Sequence, residues 1–328
     1  MASAAAWPHA SHAQTTGAFT GKTVTVYVSN PPGGGYDFYA RLVARHIGRH
    51  IPGNPRVVVS NMPGAQGLTG ANYLYNAAPK DGTALGLLTE EIATDQVLGT
   101  PGIQYDAQRF NWIGRITPMY GLAYVWHTVP VKTIETMRNR ETICAVSNRI
   151  VTIYAHVLNV VTGARFKLVR GYPGTKDAHL AMERGEIEGV FTAVDVVQMM
   201  YTDWLKSGKI SVLVQQTPQR HPDLPNVPTS VELGKTPTER SVLSFLARSG
   251  GLGRYYVAPP DIPADVVEAL RKAFDATMRD GQFLDEARNS RVPLNPATGA
   301  ELQKTAKEIV NIGGDEREQV LAIAGSVR

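Results

Sequence analysis

The chain has 328 residues, of which 43% are hydrophobic, so it can bury the core of one large domain or of two medium ones, and we expect two. The 33 basic and 29 acidic residues leave a net charge of +4, and no stretch combines clustered lysines and arginines with aromatic residues. The composition therefore argues against nucleic-acid binding. The sequence has no apolar run of about 18 residues, so we expect no membrane-spanning helix.

The N-terminal segment and the single cysteine bear on export and redox chemistry. Residues 1–13 are rich in alanine and end in Ser11-His12-Ala13, which resembles the cleavage site of a secretory signal. The charged and apolar regions of a signal are missing, so residues 1–21 are either the remnant of a signal peptide, which we favour, or a disordered leader. Cys144 lies in an apolar run, which predicts a buried structural thiol rather than a reactive one.

The segment from Val24 to Asp37 leads from a strand through three glycines directly into a helix. Val24, Val26 and Val28 alternate with polar residues, as a half-buried strand requires. Glycines 33–35 remove every side chain from the turn, so a ligand could reach the N–H groups that open the helix. The segment is therefore a candidate anion site, and a simple strand-to-helix turn is the alternative.

Strand and helix signals alternate along the rest of the chain, which is typical of parallel sheets covered by helices. The first helix should run from Asp37 to about Ile51 and expose a stripe of arginines, Arg41, Arg45 and Arg49. Next we expect strand 56–59, a second glycine turn over 61–69, a helix to about residue 77, and strands 84–88, 112–117 and 122–126. The alternation then restarts with helix 133–139, strand 142–147, helix 150–162, strand 167–171, helix 175–184, strand 188–192, helix 195–206 and strand 209–215. A polar segment over 217–238, helix 263–280 and a last helix near 298–312 complete the chain.

No motif predicts catalysis, a metal or a cofactor. Gly21-Lys22-Thr23 precedes the first strand instead of following it, and neither Gly-x-Gly-x-x-Gly after that strand nor Gly-x-Ser-x-Gly occurs. Glu90 and Glu91 are adjacent, so their side chains diverge and do not form an acid/base couple by themselves. His46 and His50 stand four apart but have no evident third ligand. We therefore expect a binding protein without a cofactor or metal.

Several motifs, taken in order, resemble the substrate-binding proteins of tripartite tricarboxylate transporters, also called the Bug family. They span most of the chain from about Lys22 onward, and they are residues 30–41, 57–67, 78–83, 185–189, 206–209, 220–229 and 256–263. The resemblance implies an α/β protein with the periplasmic binding protein type II fold, in which two α/β domains enclose a ligand cleft. It also implies a periplasmic monomer that binds a small mono- or dicarboxylate, possibly aromatic, and delivers it to membrane permease subunits.

The resemblance also implies which residues bind the ligand. Two loops would hold one carboxylate, largely through main-chain N–H groups and water, and they comprise Pro32, Gly33, Gly34, Gly35, Tyr36, Asp37, Gly64, Ala65, Gln66 and Gly67. Thr89, at the end of the third strand, is a further ligand-binding candidate. The second domain would contribute Ser147, Asn148, Arg149, Thr152, Tyr172 and Asp195. Arg149 replaces a small residue of the family pattern. Asp37 and Asp195 could instead cap helices, Arg149 could pair with a surface acid, and Tyr172 could belong to the core.

The resemblance also implies how the chain divides, and two other functions remain open. We expect residues 22–120 and 252–328 to form the first domain and residues 121–251 the second, with hinges near 118–125 and 240–255. One alternative function is a receptor that presents its ligand to a sensor kinase. The other is an enzyme that transforms a carboxylate and uses Glu90, Asp195 or His156 as its base.

Overall fold

Two β-sheets with covering helices organise the chain, as seen in a computed structural model that describes residues 17–146, 149–172 and 174–324. The first sheet has the order β11-β4-β10-β3-β1-β2. Its strands are β1 (Thr23–Val28), β2 (Arg56–Asn61), β3 (Ala84–Leu87), β4 (Asn111–Arg115), β10 (Tyr255–Ala258) and β11 (Ala297–Thr298). The second sheet has the order β7-β6-β8-β5-β9. Its strands are β5 (Gly121–Trp126), β6 (Thr142–Ala145), β7 (Phe166–Val169), β8 (Gly189–Ala193) and β9 (Ile210–Gln216).

The two sheets are built alike, which confirms the predicted α/β class. In each sheet three strands run parallel, β1 to β3 in the first and β6 to β8 in the second. The expected parallel pairing holds for only part of each sheet, because the strand that arrives from the other half of the molecule, β10 or β5, pairs antiparallel with its neighbours. The carboxyl ends of the parallel strands share one edge, where ligand crevices form in α/β proteins.

Helices cover both sheets. The α-helices are α1 (Gly35–Ile47), α2 (Leu68–Asn76), α3 (Ile92–Val97), α4 (Arg149–Thr162), α5 (Thr175–Glu183), α6 (Val194–Met200), α7 (Thr202–Lys206), α8 (Pro237–Gly250), α9 (Ala264–Thr277), α10 (Gly281–Asn289), α11 (Gly299–Val310) and α12 (Gly314–Ala324). Short 3-10 turns cover Gly48–His50, Ala65–Gly67, Thr136–Asn139 and Val231–Leu233. Within the described ranges, no helix is both long enough and apolar enough to cross a bilayer.

Two predicted helices differ from the structure for local reasons. The helix expected over 133–139 is only a 3-10 turn, because the Thr136 hydroxyl accepts hydrogen bonds from the N–H groups of Lys132 and Thr133 and so competes with helical bonding. The helix expected over 195–206 is divided at Tyr201, whose ring packs against His179 and Trp204 at centroid distances of 4.0 and 4.4 Å.

Helix α8 lies where the sequence analysis placed a hinge. Its start is a capping box, in which the Thr236 side chain accepts from the Glu239 N–H and the Glu239 carboxylate accepts from the Thr236 N–H, with Pro237 in the first turn. Thr-Pro-Thr-Glu is a recognisable helix start, so this signal was available in the sequence. Residues 240–250 of the expected hinge therefore lie within this helix, and the hinge itself stays a prediction.

The two chain segments that cross between the sheets run side by side. The Met119 N–H donates to the Gly250 carbonyl at 2.8 Å, and the Arg254 N–H donates to the Thr117 carbonyl at 2.9 Å. Gly253 has a φ of +63°, and a Cβ there would lie 2.2 Å from the Thr117 oxygen. Only glycine fits this close approach without a shift of the backbone.

The arginine stripe of α1 faces another helix instead of solvent alone. Arg45 contacts Glu286 at 2.5 Å and Arg49 contacts Asp280 at 3.1 Å, while His50 contacts Asp280 at 2.9 Å. The three arginines are exposed, as predicted, but Arg45 and Arg49 also pair with acids of α10 and its cap, a helix that was not predicted. Cys144 is buried in β6, as predicted.

One apolar cluster continues from the first sheet into the second. It joins residues such as Trp112 and Tyr255 of the first sheet to Val125 and Val214 of the second through α8, α11 and α12. Separate clusters fill the space under α1 and α9 and under α5 to α7. The strands fall in the predicted halves of the chain, and we propose the boundaries at 120/121 and 251/252 as those of the two domains.

Candidate functional site

The first glycine loop is fixed by a carboxylate from the helix that follows it. Asp37 Oδ2 accepts the Gly33 N–H and the Arg41 Nε–H, both at 3.0 Å, and Arg41 also donates to the Asn61 side chain at 3.2 Å. These bonds, first among them the one from Arg41, lower the pKa of Asp37 against the effect of its burial. Gly34 is the N-cap residue of α1, so the side chain of Asp37 orders the loop without capping the helix in the usual position.

The second loop adopts left-handed backbone conformations throughout. Gly64, Ala65, Gln66 and Gly67 have φ values of +138°, +45°, +55° and +98°. Consecutive residues of this kind, two of them not glycine, are costly and are typical of functional loops. A Cβ on Gly67 would lie 2.7 Å from Thr89 Cγ2, so this loop lies directly beside the end of β3.

Buried polar groups follow β3. The Tyr36 hydroxyl donates to Glu90 and accepts from the Glu90 N–H at 3.1 Å, and the Tyr255 hydroxyl donates to the Thr89 carbonyl at 2.5 Å. Burial raises the pKa of Glu90. Burial, together with the charge of Glu90, raises the pKa of Glu91 well above its usual value.

Arg254 and Asp195 form a buried ion pair between the domains. Arg254 precedes β10 in the first domain, and its Nε and Nη2 donate to Asp195 Oδ2 on α6 at 3.1 and 3.0 Å. The guanidinium lies 4.3 Å from the centre of the Tyr36 ring and 5.3 Å from that of Tyr39. Burial opposes its charge, but Asp195 and nearby anionic groups hold the pKa of Arg254 above its ordinary value. Asp195 therefore does not cap helix α6, which was the alternative role considered for it.

A second ion pair joins the domains, and here the arginine belongs to the second domain and the aspartate to the first. Arg149, at the start of α4 in the second domain, pairs with Asp95 on α3 of the first domain. Burial lowers the pKa of Arg149, and the charge of Glu91 partly offsets that effect. Each domain therefore provides one arginine that pairs with an aspartate of the other.

The structure brings the predicted loops and this charged network to one interdomain cleft. A Cβ on Gly35 would lie 3.2 Å from Arg254 Nη2 and 3.9 Å from the Val196 side chain, so the first loop meets α6 across the gap. Pro32, Gly33 and Gly34 are exposed at its edge, as are Gly64, Ala65 and Gln66 of the second loop. The charged network includes four buried acids, Glu90, Glu91, Asp95 and Asp195.

The other residues predicted for the site differ in their burial and contacts. Thr152 is buried on α4, whereas Tyr172 is half-buried and packs against the apolar cluster under α5 to α7. Ser147 and Asn148 lie outside the described residues. Among the three residues considered as a base, Glu90 is bonded to Tyr36 and Asp195 to Arg254, while His156 is half-buried on α4.

Sequence reasoning missed Arg254 and Asp95. Arg254 stands alone among glycine and apolar residues in Leu252-Gly-Arg-Tyr-Tyr-Val, and a lone charge in such a run was the available signal. Asp95 lies in a short helix with no motif around it, so nothing local marked it.

A groove of about 420 Å³ opens beside the buried pair. Both domains line it, and the lining includes Thr117, Tyr120, Asp195, Gln198, His221 and Asn295. Among the described residues predicted for the site, Asp195 is the one that lines this groove. The groove therefore reaches Asp195 of the buried pair. Within the described ranges, no cluster of three or more histidine, cysteine or acidic side chains is placed to hold a metal.

Comparisons with known proteins agree with this architecture. Residues 39–314 match the family model described as "Tripartite tricarboxylate transporter family receptor". The periplasmic binding protein BugD is similar in structure, with a TM-score of 0.69, 22% identity, and coverage of 92% of this chain and 97% of that one.

Two structures from Rhodopseudomonas palustris are also similar. One protein, solved with adipate, has a TM-score of 0.68, 22% identity and coverage of 92% and 97%. The other, MatC with bound malate, has a TM-score of 0.67, 19% identity and coverage of 91% and 98%. These likenesses confirm the two-domain fold of periplasmic solute-binding proteins. The family match over residues 39–314 shows more: this chain belongs to the tripartite tricarboxylate transporter receptor family.

Proposed function

We propose that this protein captures a small carboxylate between its two domains in the periplasm and delivers it to the permease subunits of a tripartite tricarboxylate-type transporter. Family membership supports the receptor role. The malate and adipate in two similar structures support a carboxylate as the ligand class.

The observation that carries this proposal is the pair of guanidinium groups in the cleft, each bound to a carboxylate of the opposite domain. A group that binds a protein carboxylate across the gap has the charge and geometry to bind a ligand carboxylate there. Of the two, Arg149 is the better ligand residue because it is partly exposed, whereas Arg254 is almost wholly buried. Asp195 then serves the site by holding Arg254.

The first glycine loop would bind the other end of the acid or its second carboxylate oxygen. The N–H groups of Gly34 and Gly35 open α1, where the helix dipole favours an anion. Hydrogen bonds to charged groups contribute about 1.5–3 kcal/mol each, so three or four of them suffice for the roughly 8 kcal/mol of a micromolar complex before closure costs are subtracted. Capture therefore requires no catalytic group.

Calorimetric titration with aliphatic and aromatic mono-, di- and tricarboxylates tests the proposal, together with native mass spectrometry of the purified protein. We expect at least one acid to bind with micromolar affinity. If no acid gives heat or a thermal shift, and no acid co-purifies, the proposal is wrong.

Gly34→Ala tests the loop separately. A Cβ at Gly34 meets nothing within 4 Å, so the variant should fold like the wild type but hinder the approach of a ligand to the backbone. Gly281→Ala is the matched control, because Gly281 also has open space and lies on α10, away from the cleft. Equal affinities of the two variants would reject the loop as a ligand contact.

A further inference from the structure

Asp95 is paired with the guanidinium group of Arg149, which the proposed function assigns to the ligand carboxylate. It belongs to α3 of the first domain, and its side chain is 7% exposed where it pairs with Arg149. A ligand carboxylate that binds Arg149 must therefore share the guanidinium with Asp95 or displace it. Which acids can do so depends on what becomes of Asp95.

An Asp95 carboxylate without its cation would be an uncompensated buried charge. Water hardly reaches it, and the other acidic groups of this part of the cleft, Glu90 and Glu91, cannot supply a second cation. Leaving a buried charge unpaired costs more free energy than the pair itself contributes. A plain acid that displaces Asp95 would thus gain the bond to Arg149 but leave the Asp95 carboxylate without its cation.

A ligand with a hydrogen-bond donor beside its carboxylate avoids this loss. A hydroxyl or ammonium group on the adjacent carbon can donate to Asp95 while the carboxylate binds Arg149. We propose that Asp95 is a specificity-determining residue that selects acids with an adjacent hydroxyl or ammonium group over plain acids. This inference rests on the proposed function and assigns a ligand class to the same cleft.

Three acids with one four-carbon skeleton provide the test: succinate, which lacks the donor, malate, which has a hydroxyl, and aspartate, which has an ammonium. In the wild type, malate and aspartate should bind about tenfold or more tightly than succinate, as expected when a buried polar group would otherwise be left unpaired. In Asp95→Asn, succinate should bind about tenfold more tightly than in the wild type, and the preference for malate should fall below about threefold.

The control is Asp261→Asn, which removes the same charge from a surface pair with Lys80 and Arg109. It should leave all three affinities unchanged. Asp95→Ser is a second variant that removes the carboxylate, and melting curves establish that each variant folds.

Several results would overturn the inference. The inference is wrong if succinate binds the wild type as tightly as malate does. It is also wrong if Asp95→Asn leaves the affinity for succinate unchanged, or if none of the three acids binds either Asp95 variant. If other acids of the broader panel still bind, the proposed function stands without this selectivity. If no acid binds any form, the proposed function fails as well.

Discussion

The two ion pairs that join the domains differ in how far water reaches them. The Arg254 and Asp195 side chains are each 3% exposed, whereas Arg149 is 27% exposed and Asp95 is 7% exposed. A fully buried pair cannot lose one partner without leaving a charge in a medium of low polarity, but the partly exposed guanidinium of Arg149 can exchange partners through water when the incoming ligand also compensates the buried Asp95. The buried pair therefore suits a permanent contact and the other pair an exchangeable one.

Removing Arg254 should have the largest effect. Arg254→Ala leaves Asp195 buried without a cation, so the free energy of unfolding should fall by about 3–5 kcal/mol, measured by urea denaturation. The control, Arg109→Ala, removes an exposed arginine from its pair with Asp261 and should change stability little.

A double variant separates the lost charge balance from lost packing. Because Asp195→Asn removes the uncompensated charge, Arg254→Met combined with Asp195→Asn should be more stable than Arg254→Ala. If Arg254→Ala destabilises the protein no more than Arg109→Ala, the buried pair is not the permanent contact that we describe.

Removing Arg149 should affect binding more than folding. Arg149→Ala should lower the affinity for the bound acid about tenfold or more, since a charge-assisted bond is lost. Its stability loss should be smaller than that of Arg254→Ala, because Arg149 is partly exposed. Calorimetry and urea denaturation measure the two effects. The control is Arg140→Ala, which breaks a pair with Glu188 elsewhere in the second domain. Unchanged affinity in Arg149→Ala would remove this residue from the site.

Replacing Glu91 should have a smaller effect on stability, and that effect should depend on pH. Burial and the charge of Glu90 raise the pKa of Glu91 well above its usual 4.5, so the folded state holds this proton more tightly than the unfolded state does. The contribution of Glu91 to stability should therefore fall as pH rises from about 4.5 through its folded-state pKa. Glu91→Gln cannot ionise, so its stability relative to the wild type should increase across that range. A stability difference that does not vary with pH would contradict the assignment.

The sequence alone allowed the fold class and one wall of the site to be predicted. Val24, Val26 and Val28 indicated the first strand, and the glycines of both loops indicated where a ligand could approach. These signals are local, since they depend on alternation and on backbone freedom within a few residues. Arg149 was singled out because it departs from the family pattern.

The partners of the charged residues could not be predicted in the same way. Asp195 and Arg254 are 59 residues apart, and they meet only because the chain returns to the first sheet after completing the second. Nothing near Asp195 distinguishes an ion pair from a helix cap. Asp95 and Arg149 likewise lie on helices of different halves of the molecule, so only the tertiary fold brings them together.

A crystal structure of the protein grown with malate tests the central claim most directly. We predict a malate carboxylate within hydrogen-bond distance of the Arg149 guanidinium, in the cleft beside the glycine loop, with the Arg254–Asp195 pair intact. Malate that is absent from the cleft while Arg149 stays paired with Asp95 would contradict the account.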